Sequence, residues 1–373
     1  MMFALISTIG FCAEPAAPVE ARFPAASDLL SADEWQQLDT AVDRGLAFLS
    51  RTQRPDGSFA APESGQPGIT SLGVMAFLSR GHIPGEGPYG QQLARAIDFV
   101  LGTQHDDGLL YAQSVPRSSG AGPFNPTMYN HAMAGLMLTE VYGMTDETQR
   151  GRLAEAISLA VKFARERQLA PKRHPRDHGG WRYLGSLSSL GNDADLSVTS
   201  WQLLFLRSAR NAEFEVPKEF IDEAMEYVRG SFEPQAGVFM YCRVNPGRHT
   251  NRAMVGSGIL SLSLAGEHQS EMARRGGDWL LQHDFARYNR PDFPEERYHY
   301  SAYYCSQAMF QLGGDYWARF FPPFQRTLVA NQRPDGSWDR EVNYDAQYGN
   351  SYTTALVILS LTPPYQLLPI YQR

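Results

Sequence analysis

The sequence has few cysteines, little excess basic charge and no long apolar run. It contains 3 cysteines among 373 residues, an odd number whose spacing fits no disulfide framework and no zinc pattern. The 33 lysines and arginines are outnumbered by 40 aspartates and glutamates, giving a net charge of −7, so we expect no nucleic-acid partner. Because no stretch approaches the ~18 apolar residues of a spanning helix, we expect no transmembrane helix, and any membrane contact would be peripheral.

The N-terminus has a composition of its own. Residues 2–11 form a short apolar run, and an Ala/Pro-rich spacer follows it. This pattern is typical of a secretory signal, although no basic residues precede the run. We therefore expect residues 1–25 to be a signal peptide with its spacer and the protein to be exported, to a periplasm or the extracellular space. Without such a signal it would be cytoplasmic.

A short motif recurs along the rest of the chain. Residues 53–58 and residues 332–337 both read Gln-Arg-Pro-Asp-Gly-Ser, and residues 104–108 read Gln-His-Asp-Asp-Gly. Looser copies occur at 179–183 and 237–241, and the interval between the second and third copies is longer than the others. The repeat of about 50 residues indicates tandem structural units. The glycines that mark these units are Gly57, Gly108, Gly180, Gly237 and Gly336.

Each unit predicts two helices of different character. The first carries one apolar stripe, as at Leu38, Val42 and Leu46, and the second is apolar nearly all round, as in residues 70–78. A helix that is apolar on every side must be covered on every side. Six such helices inside six amphipathic ones predict an all-α fold, an α6–α6 barrel over residues 30–365. An open solenoid is the alternative, but its terminal repeats are usually atypical, whereas here the first and last turns are the most alike.

The turn motif also carries a family resemblance. Gln-x-x-Asp-Gly-Ser followed by Phe59 or Trp338 is similar to the QW motif of squalene–hopene and oxidosqualene cyclases, and the chain resembles one domain of these terpene cyclases. The resemblance implies a barrel with a central apolar cavity, a hydrophobic isoprenoid-like ligand and no cofactor. Protein prenyltransferase β subunits share the repeat, but their zinc-binding Asp-x-Cys is missing here, so we expect no metal.

Two aspartates match the catalytic motif of these cyclases. The family places Asp-x-Asp-Asp-Thr-Ala at the start of an inner helix, and residues 193–198 read Asp-Ala-Asp-Leu-Ser-Val. Asp193 and Asp195 match, whereas Leu196 replaces the third acid. The resemblance implies that Asp195 protonates an alkene, with Asp193 as the nearby carboxylate. Judged from the residues alone, an aspartate before an apolar helix is equally an N-cap.

Aromatic residues cluster near the predicted starts of the inner helices. Their faces suit a carbocation or an apolar ligand, and core packing is the alternative. His131, near the start of the second inner helix, is either a polar group of the site or a buried structural histidine. Besides His131, the candidate ligand-binding residues are Trp181, Tyr183, Trp201, Tyr241, Tyr300, Tyr303, Tyr304, Trp338, Tyr348 and Tyr352.

Three functions stay open at this stage, and the sequence does not decide whether the protein is an enzyme. The first is a terpene-cyclase-like isomerase or transferase that uses Asp195 as its acid. The second is a non-catalytic scaffold that binds a lipid or a peptide. The third is a carbohydrate-active enzyme or sugar-binding domain, because α/α barrels host these as well. A closed apolar cavity favours the first, a filled barrel the second, and a polar groove with carboxylates on both sides the third.

Overall fold

The computed structural model describes residues 29–113, 126–184, 191–244, 250–293 and 295–372, in which twelve α-helices alternate between two layers. The inner layer consists of α2 (Gly68–Leu78), α4 (Thr127–Val141), α6 (Leu196–Asn211), α8 (Arg252–Leu264), α10 (Tyr298–Leu312) and α12 (Gly349–Leu361). The outer layer consists of α1 (Ala32–Thr52), α3 (Gly90–Leu101), α5 (Glu147–Leu169), α7 (Lys218–Gly230), α9 (Glu271–Leu281) and α11 (Gly314–Ala330). A short antiparallel hairpin, β1 (Phe232–Glu233) with β2 (Val238–Phe239), follows α7.

The inner helices form a closed ring. Each packs against the next, and α12 packs against α2, so no inner helix is left at an open end. Every residue of α2 is buried, as expected for a helix that is covered on all sides. The prediction of an α6–α6 barrel is therefore confirmed. Among the described residues, no helix combines the length and apolar character needed to cross a membrane. The predicted signal peptide lies outside the described residues.

One glutamine contact recurs at four of the turns between layers. Each glutamine donates from Nε2 to the carbonyl of a turn glycine and to a backbone carbonyl of the neighbouring outer helix. The four sets are Gln53 with Gly57 and Gln92, Gln104 with Gly108 and Ala156, Gln168 with Gly179 and Phe220, and Gln332 with Gly336 and Ala41. The last set ties the final turn to α1, so the contact that joins neighbouring units also closes the ring.

The third turn differs from what the sequence spacing indicates. Its turn glycine is Gly179 rather than Gly180, with φ +80°, and an ideal Cβ there would lie 2.0 Å from the Glu223 carbonyl oxygen. Its glutamine, Gln168, lies 11 residues before Gly179, whereas Gln53 lies 4 before Gly57. The additional residues form a loop that includes the short 3-10 helix Pro175–Asp177.

The two ends of the barrel differ. Tyr129 bonds Ser197 near the starts of α4 and α6, and Thr139 bonds Ser208 near their ends, so these two neighbouring helices run parallel. At the end with the helix C-termini, the chain returns after α12 and buries Ile370 and other residues of its last turn. The candidate site lies at the opposite end, where the inner helices begin.

Candidate functional site

Asp195 caps α6 and is fully buried. Its Oδ1 accepts the backbone N–H of Val198 at 2.8 Å, and its Oδ2 lies 2.9 Å from Nη1 of Arg182. Its backbone N–H donates to the carbonyl of Trp181 at 2.9 Å, which ties the loop before α6 to the preceding turn. The capping role that the sequence left open is therefore present, together with an ion pair.

Burial and charge act in opposite directions on this pair. Burial raises the pKa of Asp195, while Arg182 and the Val198 N–H counteract the rise. Burial by itself would lower the pKa of Arg182, but Asp195 and, more weakly, Tyr241 raise it overall. Each partner thus supplies the countercharge that a buried ion needs.

Asp193 points to a different partner. Arg173 binds its carboxylate through its backbone N–H and through its guanidinium, with a shortest distance of 2.7 Å. Hydrogen bonds from Arg173 lower the pKa of Asp193, although partial burial opposes this. The two aspartates of the motif therefore pair with different arginines, Asp193 with Arg173 and Asp195 with Arg182.

Tyrosines from two inner helices and from two turns meet beside Asp195. The hydroxyls of Tyr183 and Tyr241 lie 2.7 Å apart, and the ring centroids of Tyr129 and Tyr183 lie 5.9 Å apart. The Tyr129 hydroxyl donates to Ser197 Oγ at 2.9 Å, and Ser197 Oγ lies 2.7 Å from the Tyr300 hydroxyl. This chain of bonds runs from α4 through α6 to α10, so it crosses the barrel axis.

These tyrosines border a recess. Tyr129, Tyr183 and Tyr241 each retain accessible surface, yet burial is the main cause that raises the pKa of all three. Side chains that are accessible but surrounded by protein line a recess rather than an outer face. We define the tyrosine recess by Tyr129, Tyr183, Tyr241 and Tyr300 with the Asp195–Arg182 pair.

The opposite side of the recess is built around α12. In the ring of six inner helices, α12 lies opposite α6. The rings of Tyr348 and Tyr352 lie 5.6 Å apart, and Arg297 Nε lies 3.1 Å from Asp345 Oδ2. Burial and then Asp345 raise the pKa of Tyr348, with smaller contributions in the same direction from Tyr111 and Tyr183. A second carboxylate–guanidinium pair thus lies on this side.

Other predicted ligand residues fill the axis below the recess. The rings of Trp201 and Tyr303 stack at 5.3 Å, and Tyr304 meets Trp201 edge-on at 5.6 Å. Trp201 Nε1 donates to the Tyr300 hydroxyl at 2.9 Å. The side chains of Trp201, Tyr303 and Tyr304 are fully buried. These residues support the floor of the recess, whereas Tyr241, Tyr300, Tyr348 and Tyr352 lie at its level.

Three predicted residues lie away from the recess and pack between the layers. Trp181 Nε1 donates to the Ala164 carbonyl in α5, and Trp338 Nε1 donates to the Leu328 carbonyl in α11. Nδ1 of His131 accepts the backbone N–H of Leu110. In two other repeats a threonine makes the equivalent contact: Thr199 accepts the backbone N–H of Trp181, and Thr354 that of Trp338. Burial lowers the pKa of His131 to about 4. Its environment is that of a structural histidine.

Sequence reasoning missed part of the recess. It did not single out Tyr129, although this residue precedes His131 by two positions. It also missed the two guanidiniums, because each arginine finds its carboxylate across a turn or from a neighbouring unit, with no fixed spacing. The missed residues are Tyr129, Arg182, Ser197, Arg297 and Asp345.

No protein-family model and no curated protein matches the sequence. Solved structures do match the fold. A variant of the type II terpene cyclase MstE from Scytonema, in complex with its substrate geranylgeranyl dihydroxybenzoate, has 15% identity and a TM-score of 0.59, covering 91% of this chain and 100% of its own. A glycosidase variant has 12% identity and a TM-score of 0.57, covering 91% and 100%. A D-mannose isomerase has 11% identity and a TM-score of 0.60, covering 89% and 99%. At these identities the similarity shows the fold, a terpene-cyclase-like α/α toroid.

Proposed function

We propose that the protein binds an isoprenoid-like molecule in the tyrosine recess. The observation that carries the proposal is that the hydroxyls bordering the recess bond one another. Tyr183 pairs with Tyr241, and Tyr129 and Tyr300 share Ser197. What these side chains have left for a ligand is mainly the surface of their aromatic rings. Such surfaces suit the carbon skeleton and double bonds of an isoprenoid.

The same pairing makes a sugar a poorer fit. A polyhydroxylated ligand needs many donors and acceptors that are not already engaged. Carboxylates do lie on both sides of the recess, but Asp195 is paired with Arg182 and Asp345 with Arg297. Two carboxylates are thus present, as a carbohydrate-active site requires, but both are already paired with arginines. An apolar ligand with a small polar end is favoured.

The ion pair also bears on catalysis. Protonating an alkene requires a neutral carboxyl group; burial raises the pKa of Asp195, but Arg182 opposes this rise and stabilises the ionised form. In our proposal Asp195 is therefore a positioning residue: it caps α6 and holds Arg182 against the ring of Tyr241, whose centroid lies 5.7 Å from the guanidinium carbon. Binding, rather than proton donation, is assigned to the described residues.

The first prediction tests binding. Tyr129→Ala removes one ring from the recess and should weaken binding of geranylgeraniol about fivefold or more, because one aromatic contact contributes roughly 1 kcal/mol or more. The affinity can be measured by intrinsic tryptophan fluorescence in detergent-free buffer. Tyr316→Ala is the matched control, because Tyr316 lies on α11 in the outer layer and bonds Asp278. No binding by the wild-type chain, or equal losses in both variants, would contradict the proposal.

The same ligand tests the catalytic alternative. The wild-type protein and Asp195→Asn are incubated with geranylgeraniol and other polyprenyl substrates, and the extracts are analysed by gas chromatography and mass spectrometry. We expect no cyclised product from either protein. A product that forms with the wild type and disappears in Asp195→Asn would instead assign proton donation to Asp195.

A further inference from the structure

Glu140 is a buried acid at the opposite end of the barrel from the recess. It lies in the last turn of α4 and is 5% exposed. Its Oε1 accepts the Ser208 hydroxyl at 2.5 Å, and its Oε2 accepts the backbone N–H of Ile370 at 3.3 Å. Among the residues that the structure describes, no lysine, arginine or histidine forms an ion pair with it. A buried carboxylate without a countercharge is costly, whereas a neutral carboxyl is not.

Ile370, one of the two partners of Glu140, belongs to the segment that closes this end of the barrel. We call residues 368–371 the floor segment. Leu368, Ile370 and Tyr371 are buried, and the Tyr371 carbonyl accepts a hydrogen bond from Gln311 Nε2 at 2.8 Å. The Tyr371 hydroxyl bonds that of Tyr303. The floor segment is therefore held by buried apolar side chains and by hydrogen bonds, one of which ends on Glu140.

The floor segment is connected to the recess through packed aromatic rings. Tyr303 bonds Tyr371 and stacks on Trp201, and the Trp201 indole N–H binds the Tyr300 hydroxyl. Tyr300 is part of the tyrosine recess. Undocking of residues 368–371 would therefore remove a contact from the column of rings on which the recess rests.

We propose that the floor segment is a pH-controlled closure, docked while Glu140 is neutral and released when Glu140 ionises. The proposal concerns the barrel itself and does not depend on the ligand suggested above.

Burial raises the pKa of Glu140 from 4.5 to about 7, and the hydrogen bonds from Ser208 and Ile370 only partly oppose this. The pKa of Glu140 is higher in the docked state than in the released state. The contribution of Glu140 to docking is therefore fully present below about pH 4.5 and is lost as pH rises through about 7. The titratable groups that face Glu140 are Tyr303 from α10 and Tyr371 from the floor segment. Burial raises the pKa of both, so neither ionises in this range.

Hydrogen exchange of the full chain tests the proposal. Exchange of the peptide covering residues 362–373 is measured by mass spectrometry at pH 5.5 and pH 8.5, with intrinsic rates corrected for pH. For the wild type, the pKa values of 4.5 in the released state and about 7 in the docked state predict a roughly 30-fold increase in the equilibrium constant for opening between pH 5.5 and pH 8.5. Glu140→Gln should abolish the increase, because glutamine does not ionise: its amide oxygen can accept the Ile370 N–H while its NH2 group donates to the Ser208 hydroxyl oxygen. Glu155→Gln, on the exposed face of α5, is the matched control and should retain it.

A second variant separates Glu140 from the tyrosines. Tyr371→Phe removes the bond to Tyr303 and should raise opening by a similar factor at both pH values, leaving the pH dependence unchanged. A wild type with no pH dependence in this peptide would overturn the proposal. So would a Glu140→Gln variant that retains the increase, or a Tyr371→Phe variant that loses it.

Discussion

At the scale of single residues, the turn glycines show how closely the two layers approach. Gly57 has φ +94°, and an ideal Cβ on it would lie 2.2 Å from the Arg95 carbonyl oxygen of the neighbouring outer helix. The conformation requires glycine and so does the contact, because a Cβ cannot approach backbone atoms this closely. Sequence analysis identified this glycine as a turn residue, but the contact with α3 depends on a helix that begins some 30 residues later.

The residue-scale prediction concerns Gly57→Ala. It should destabilise the fold by about 3 kcal/mol, because the left-handed backbone costs ~1–2 kcal/mol and the contact with Arg95 adds strain. Gly266→Ala is the control: Gly266 has φ +80° with nothing within 4 Å of the added Cβ, so only the backbone cost applies. Urea unfolding followed by circular dichroism measures both. Equal losses would show that contact between the layers contributes nothing.

At the scale of elements, the glutamine contact explains why one motif recurs. Each of the four glutamines satisfies the carbonyl of its own turn and a carbonyl in the next outer helix. The sequence predicted the helices and turns, because periodicity and turn residues are local signals. It did not find Gln168 as the equivalent of Gln53, because the inserted residues separate Gln168 from its glycine.

The element-scale prediction concerns Gln332→Ala. The substitution leaves the carbonyls of Ala41 and Gly336 without their partner and should cost about 1–3 kcal/mol of unfolding free energy. Gln37→Ala, on the exposed face of α1, should change stability by less than about 0.5 kcal/mol. Chemical denaturation of both variants is the measurement. A loss in Gln332→Ala no larger than in Gln37→Ala would contradict the role given to this contact.

At the scale of the whole molecule, closure makes the first and last units neighbours. An ideal Cβ at Gly45 would lie 3.0 Å from side-chain atoms of both Ile358 and Trp338, so α1 packs tightly against the last unit. In an open array each repeat touches only its neighbours, and the ends unfold independently. A closed ring has no end at which unfolding can begin, so we expect it to unfold as one cooperative unit.

The whole-molecule prediction concerns Ile358→Ala. It should cost about 2–4 kcal/mol through the cavity that it leaves. Because the ring is closed, the lost protection should appear equally in α6, on the far side, and in α12 itself. Hydrogen exchange of peptides from both helices measures this. Loss confined to α12 and its neighbours would indicate that the units unfold separately despite the closure.

The sequence by itself determined the alternation of one-sided and fully apolar helices, the turns between them and the closed barrel, because these follow from spacing along the chain. It also placed Asp195 at the start of an inner helix. Only the tertiary structure decided that Arg182 pairs with Asp195, that Trp181, Trp338 and His131 pack between the layers, and that tyrosine hydroxyls bond one another in the recess. These contacts join residues from separate turns and units, and which side chains meet depends on how the ring closes rather than on any local pattern.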